Sequence, residues 1–238
     1  MRPNYTLPRL YLPQSLVGEI VLSKEHAHYL GTVLRKGVAD EVRLFNDEDG
    51  EWAAVVVRAA KRAMTVRVDR QLRAPHIVPD IRLLFAPIRK HRTATILEKA
   101  TELGVRTLQP VLTARTQFPK INLERARAQI VEAAEQTERL DLPELCEPKP
   151  LFDAVLGRTL IFADEAGDGR DVIEADLEIP LDLLIGPEGG FSPEEREQLL
   201  AMTNVVPVTL GPRILRADTA AISLLTLVQA SCGDWRHI

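Results

Sequence analysis

The densest chemical signal in the sequence is Leu183-Leu184-Ile185-Gly186-Pro187-Glu188-Gly189-Gly190-Phe191-Ser192, an apolar strand that empties into a glycine-rich loop and then opens a helix. Ligands of parallel α/β sheets bind at such strand ends. No Gly-Lys-Ser/Thr follows, and the glycine spacing is not that of the dinucleotide fingerprint, so ATP and NAD are disfavoured. The arrangement returns one unit later: Thr209-Leu210-Gly211-Pro212-Arg213-Ile214-Leu215-Arg216-Ala217-Asp218-Thr219 is again a strand end, a glycine, a rigid loop and a helix start. Two such loops are expected to form the walls of a slot, with backbone groups for a purine edge and Leu210, Ile214 and Leu215 for its faces. Gly189 is expected to be the point of close backbone approach, where a side chain would intrude or forbid a positive φ.

Two basic features stand out besides the loops. Arg139 ends a helix carrying Glu132, Glu135, Gln136 and Glu138, and Arg89-Lys90-His91-Arg92 follows an apolar run. Metal and nucleophile chemistry are poorly supplied. His26, His28, His76, His91 and His237 lack metal-ligand spacing with a carboxylate or cysteine, and Cys146 and Cys232 form no Cys-x-x-Cys. There is no Gly-x-Ser-x-Gly nucleophile elbow. Methyl transfer from a sulfonium needs neither a metal nor a covalent enzyme intermediate and fits this inventory.

The elements that must hold these residues change character along the chain. Short β-prone runs come first, at Arg9–Leu12, Glu19–Leu22, Val42–Phe45, Trp52–Arg58 and Ala63–Val68, with a hairpin turn at Asn46, Asp47, Asp49 and Gly50. Between them Ser23 can cap a helix with Ala27, Leu30, Val33 and Leu34 on one face. This predicts a small β-barrel with one helix over residues 1–73. Arg73–Asp80, with Pro75 and Pro79, reads as a linker. From residue 80 to 238, strands at Ile81–Pro87, Val105–Leu112, Thr159–Ala163, Leu181–Ile185 and Val205–Leu210 alternate with helices. The helices are expected at His91–Leu103, from an Asn122 cap to Leu140, after Ser192-Pro193, and at Asp218–Ser231. That alternation is an α/β fold with a mostly parallel sheet covered on both faces.

Composition bounds the partners. The chain has 238 residues, 45% hydrophobic and 27% charged, with a formal net charge of -4. Residues 1–139 carry 23 Lys+Arg against 16 Asp+Glu, a net of +7, and residues 140–238 carry 7 against 18, a net of -11. A basic front on an acidic chain suits a polyanion such as RNA, because phosphate contacts depend on local Lys/Arg placement. No apolar run reaches membrane-spanning length, so a cytoplasmic protein without a membrane role is expected.

Taken together, these stretches resemble the RsmE family of ribosomal RNA uridine-N3 methyltransferases in the SPOUT superfamily. The matching residues are His28 with Val33-Leu34-Arg35, Lys99 to Val105, Glu132 to Gln136 with Arg139, Gly186 to Gly190, and Leu210-Gly211 with Ile214-Leu215-Arg216. Three positions depart from the family pattern: Asp218 where glutamate is usual, Thr137 where serine is, and Ala39 where a glycine is common. The resemblance implies a PUA-like N-terminal barrel, and a C-terminal SPOUT domain with a parallel sheet tied in a trefoil knot. It also implies a homodimer and S-adenosylmethionine as donor, with no metal. As acceptor it implies a uridine in the decoding region of 16S ribosomal RNA, within the assembled small ribosomal subunit.

On that reading Gly186, Glu188, Gly189, Gly190, Leu210, Gly211, Ile214 and Leu215 hold the donor. Arg139, Glu188 and Arg216 are the expected catalytic residues, with the arginines on the target uracil. Arg9, Arg35, Lys36, Arg89 and Lys90 are expected on phosphates. The rival expectations are a non-catalytic RNA-binding protein of ribosome assembly, in which the glycine loops only shape the backbone, and a methyltransferase of small molecules.

Overall fold

The computed structural model describes residues 6–60, 63–76, 78–165 and 169–237. Two compact units divide the chain: Met1–Ile77 with Ala134–Leu142, and Val78–Ala133 with Pro143–Ile238. The first unit therefore includes a segment from the middle of the chain, which the sequence places inside the C-terminal domain.

In the first unit, β1 (Arg9–Tyr11), β2 (Glu19–Val21), β3 (Glu41–Asn46), β4 (Gly50–Ala60) and β5 (Ala63–Arg73) form one sheet in the order β1-β3-β4-β5-β2. Every strand contributes to a single core cluster, from Leu10 and Ile20 to Val42, Val56 and Met64. The turn from β3 to β4 forms where expected, with the Asp49 N–H donating to Asn46 Oδ1 at 2.6 Å. Strands β4 and β5 outrun the expected bounds and carry bulges, which let a long hairpin bend around the core.

Helix α1 (Lys24–His28) is capped by Ser23 Oγ, which accepts from the His26 N–H at 3.1 Å. Its apolar face is shorter than the periodicity predicts: Ala27 and Leu30 are buried, but Val33 is 59% and Leu34 36% exposed. The chain widens into a π-helical turn at Tyr29–Val33, where the Leu34 N–H reaches back to the Tyr29 carbonyl. That turn swings the last two residues off the stripe set by 3.6-residue spacing.

The second unit holds β6 (Ile81–Phe85), α2 (Lys90–Glu102), β7 (Thr107–Leu112), α3 (Leu123–Gln136), β8 (Glu144–Leu145), β9 (Lys149–Pro150), α4 (Leu151–Ala154), β10 (Thr159–Ala163), β11 (Arg170–Asp171), β12 (Leu181–Ile185), α5 (Pro193–Leu200), β13 (Val205–Thr209) and α6 (Ala217–Ser231), the last turn of α3 counting with the first unit. The sheet order is β11-β13-β10-β12-β6-β7-β8, with β9 on β7, and every pairing is parallel. Strands β6 and β12 are buried at every residue, as expected of strands covered on both faces. Their one charged register pair, Arg82 opposite Asp182, closes on itself: Arg82 Nε donates to Asp182 Oδ1 at 3.0 Å, and Nη2 donates to Oδ2.

Helix α3 starts as expected, with Asn122 Oδ1 accepting from the Arg125 N–H at 2.9 Å, but ends at Gln136 and not near Leu140. Arginines from the first unit's sheet take its last acceptors. Arg9 donates to the carbonyls of Ala134 (2.8 Å), Glu135 (3.1 Å) and Arg139 (2.8 Å), and Glu138 turns into the left-handed region at φ 62. Carbonyls left unpaired at a helix end need such partners, and here arginines replace further helical turns.

Among the described residues no helix is long and apolar enough to cross a membrane, and no cluster of His, Cys, Asp and Glu is arranged to hold a metal ion.

Candidate functional site

Strands β13, β10 and β12 lie side by side and run parallel, so the loops leaving their carboxyl ends emerge together. A cavity of about 480 Å³ opens between these loops. Its walls are Asp164 and Glu165 after β10, Gly186 to Glu188 with Gly190 and Phe191 after β12, and Leu210 to Arg216 after β13. This volume is that of a small-molecule site, and its position is where open parallel sheets bind ligands.

Local chemistry explains why the β12 loop takes its shape. A Cβ on Gly186 would sit 2.6 Å from the Phe191 ring, so the ring packs directly on the glycine backbone. Phe191 in turn meets buried Phe162 edge-on at 5.1 Å, which gives the loop an apolar floor. The Gly190 N–H closes a tight turn onto the Pro187 carbonyl at 2.9 Å, with Gly190 at φ 66. An added Cβ there would stand 2.5 Å from a carboxylate oxygen of Glu165. Gly190 therefore carries the positive φ that the sequence assigned to Gly189, while its near neighbour is only the movable end of the Glu165 side chain. Gly189 itself lies outside the cavity wall, and an added Cβ there would meet only Arg115 at 3.8 Å. The Gly189 carbonyl accepts from Arg115 Nη1 at 2.8 Å.

The helix after this loop is fixed by the expected capping box. Ser192 Oγ accepts from the Glu195 N–H at 3.2 Å, and Glu195 returns a carboxylate oxygen to the Ser192 N–H at 2.9 Å. On the same helix Arg196 grips buried Asp164 with Nε and Nη2, at 3.0 and 2.8 Å, which anchors the β10 loop. The hydrogen bond to this carboxylate, followed by its charge, holds the Arg196 guanidinium above its ordinary value. In the β13 loop, Gly211 turns at φ 100, and its N–H donates to Thr209 Oγ1 at 3.3 Å.

The structure thus brings Gly186, Glu188, Gly190, Leu210, Gly211, Ile214, Leu215 and Arg216 around one cavity. Ile214 projects at 80% exposure, an apolar side chain at the rim with no cover of its own. Arg216 is exposed at the start of α6. The carboxylate two residues on, Asp218, is held by Arg92, whose Nη1 donates to Asp218 Oδ1 at 3.0 Å. Arg92 Nε also stands 3.7 Å from Glu188 Oε1. The sequence showed Arg92 only as one member of a basic run, and its opposing carboxylates lie 96 and 126 positions further on.

Besides Gly189, two expected site residues lie outside the cavity wall. Arg9 is 5% exposed, with its Nε on Glu51 Oε1 at 2.6 Å and its guanidinium over the Phe45 ring at 4.0 Å, so it offers no surface to a phosphate. Arg139 belongs to the first unit at 8% exposure, bound through Nε and Nη2 to Asp141 at 2.9 Å, and is not in the cavity wall. Of the other arginines and lysines expected on RNA, Arg35, Arg89 and Lys90 are exposed and Lys36 is half-buried.

Comparison with known proteins adds an independent line. Residues 76–229 match the model of an RNA methyltransferase domain, and residues 22–69 match that of an RNA methyltransferase PUA domain. The chain is 33% identical over 213 residues to Ribosomal RNA small subunit methyltransferase E of Rickettsia conorii, covering 87% of each. The chain belongs to the ribosomal RNA small subunit methyltransferase E family. A solved structure from Legionella pneumophila, in complex with the cofactor SAM, superposes with a TM-score of 0.84 at 32% identity, covering 96% of this chain and 99% of that one. Ribosomal RNA small subunit methyltransferase E from Neisseria gonorrhoeae, bound to S-adenosyl methionine, superposes at 0.83 with 25% identity over the same shares.

Two of the three departures from the RsmE pattern acquire physical meaning here. Ala39 sits at φ 75, the region where a glycine is at ease and a Cβ is strained. Asp218 keeps its carboxylate in the first turn of α6, where the helix dipole favours an anion, and reaches Arg92 despite being one methylene shorter than glutamate.

Proposed function

We propose that this chain transfers the methyl group of S-adenosylmethionine to N3 of a uridine in the decoding region of 16S ribosomal RNA, within the assembled small ribosomal subunit. The observation that carries this reading is the cavity at the carboxyl ends of β10, β12 and β13. It is walled by glycine-loop backbone and apolar side chains, in a chain that superposes over 96% of its length on a SAM-bound relative.

The residues present fit the donor. Gly186, Gly190 and Gly211 put backbone without side chains in the cavity wall, where an adenine edge or a ribose can approach closely, and Leu210, Ile214 and Leu215 provide apolar contact for the ring. The donor supplies an electrophilic methyl on a sulfonium. What the chain supplies is orientation and charge: Arg216 at the rim to donate hydrogen bonds to an imide carbonyl of the target, and Glu188 as a carboxylate in the wall. In this reading Arg35, Lys36, Arg89 and Lys90 contact the phosphates, while the buried Arg9 and Arg139 do not touch RNA. The reading carries with it a homodimer, a cytoplasmic setting and the trefoil knot of the SPOUT fold.

Small subunits from a strain lacking the modification, incubated with labelled donor, should accept one methyl per particle at a uridine of 16S RNA. Free nucleosides should accept none. Donor binding without transfer to any RNA would favour the non-catalytic rival.

A further inference from the structure

Arg92 joins the β12 wall of the cavity to the start of α6. Its Nη1 donates to Asp218 Oδ1 at 3.0 Å, and its Nε stands 3.7 Å from Glu188 Oε1. The arginine side chain is 17% exposed, against 35% for Glu188 and 19% for Asp218. The two carboxylates are not equivalent. Asp218 is engaged by the shorter contact, sits in the first turn of α6 and lies outside the cavity wall. Glu188 lines the cavity, and its looser ion pair and greater exposure leave acceptor capacity on the carboxylate.

We propose that Arg92 is the positioning residue for the reaction: anchored on Asp218, it holds the Glu188 carboxylate where that carboxylate takes the N3 proton of the target uracil. The inference rests on the functional reading above. In the step, the N3 electron pair forms the new C–N bond as the C–S bond breaks. The pair from that bond stays on sulfur, leaving a neutral thioether, and the N3 proton passes to Glu188. A neutral uracil, a sulfonium cation and a carboxylate anion thus become three neutral groups. Displacing a general base by about 1 Å is enough to slow a step roughly a hundredfold.

A double-mutant cycle on the single-turnover rate, measured with small subunits and saturating donor, tests this. Arg92→Ala should slow transfer about thirtyfold or more and change donor affinity less than about threefold, and Arg92→Lys, which keeps a cation, should recover most of the loss. In a Glu188→Gln background, the same Arg92→Ala change should slow transfer less than about threefold, because its target is already gone. In a Glu165→Gln background, which alters the cavity's other open carboxylate, the full loss should remain. Equal losses with and without Glu188 overturn the inference, as does a Lys variant no faster than Ala. Should Arg92→Ala fail to fold, Arg92→Gln, which keeps hydrogen-bond donors, takes its place in the cycle under the same criteria. A native enzyme that methylates no small-subunit RNA would sink the functional reading itself, whereas an additive cycle in an active enzyme sinks only the role of Arg92.

Discussion

Arginines and carboxylates meet in two places in this chain, with opposite consequences. In the first unit Arg9, Arg43 and Arg73 surround Glu51 and Glu138, with contacts of 2.6 to 3.9 Å, and four of the five side chains are at least nine-tenths buried. Beside the cavity, Arg92 reaches Glu188 and Asp218 with one short contact and one long one, all three partly open to water. The first group is closed: sheet arginines hold the end of α3 and the turn after it, and little of the cluster is open to water. The second is looser and partly exposed, so its carboxylates keep acceptor capacity. Residue type and charge are the same in both, so burial and completeness of partners separate an arginine that builds the fold from one that serves the reaction.

The sharpest break in this comparison comes from truncating one member of each group. Glu51→Ala leaves buried arginines uncompensated and should destabilise the protein by about 3–5 kcal/mol in denaturant titrations, a large part of the stability of an ordinary domain. Glu188→Ala should change stability by less than about 1 kcal/mol while removing most transfer activity. A Glu51 variant of native stability would show that the buried group is not a structural lock.

Donor binding gives the next contrast, between neighbouring glycines. Gly190→Ala meets both the positive φ and the Glu165 carboxylate and should weaken donor affinity at least about tenfold by calorimetry. Gly189→Ala should shift it less than about threefold, since only ordinary van der Waals contact awaits the new Cβ. Equal effects at the two positions would place the close approach elsewhere.

The closed cluster also predicts a pH dependence. Burial pushes the Glu51 carboxyl up, but hydrogen bonds from Arg73 and Arg9 and the charges of both outweigh it and hold the group below its ordinary value of 4.5. A carboxyl lowered by folding adds stability that is fully present above about 4.5 and is lost as pH falls through the lower, folded value. The melting temperature of the native chain should therefore drop as pH falls below 4.5, and more steeply than that of Glu51→Gln; parallel curves would remove Glu51 as the cause.

Smaller effects belong to the surface. Replacing both Arg35 and Lys36 with alanine should lower the slope of log affinity against log salt by about 1.4–1.8 if each neutralises one phosphate. The smallest change is Ala39→Gly, which relieves the left-handed Cβ and should stabilise the chain by about 1 kcal/mol. No gain there would mean that the neighbouring turn relaxes around the alanine.

The parallel sheet, the two glycine loops and most of the cavity wall were legible in the sequence because they are written locally. An apolar strand, a glycine loop and a capped helix fall within about a dozen residues of one another. What was not legible depends on partners far apart in the chain. Arg9 looked like an RNA contact because nothing near it in sequence shows Glu51 or the carbonyls of Ala134 and Arg139 that enclose it. Helix α3 was read as running on to Leu140 because its composition favours helix, and only the folded sheet brings the arginines that take its last carbonyls. The π-helical turn at Tyr29–Val33 broke a clean 3.6-residue pattern for which no residue type is a reliable marker. Arg92 was visible as charge but not as a bridge, since its importance lies in where Glu188 and Asp218 come to rest.

The most direct test of the account is transfer of labelled methyl from S-adenosylmethionine to small ribosomal subunits, followed by mass-spectrometric mapping of the modified base, for the native chain and for Gly190→Val side by side. The account predicts a single N3-methyluridine in 16S RNA with the native chain and none with the folded Gly190 variant. No modified uridine with the native chain, or the same yield from both proteins, would contradict it.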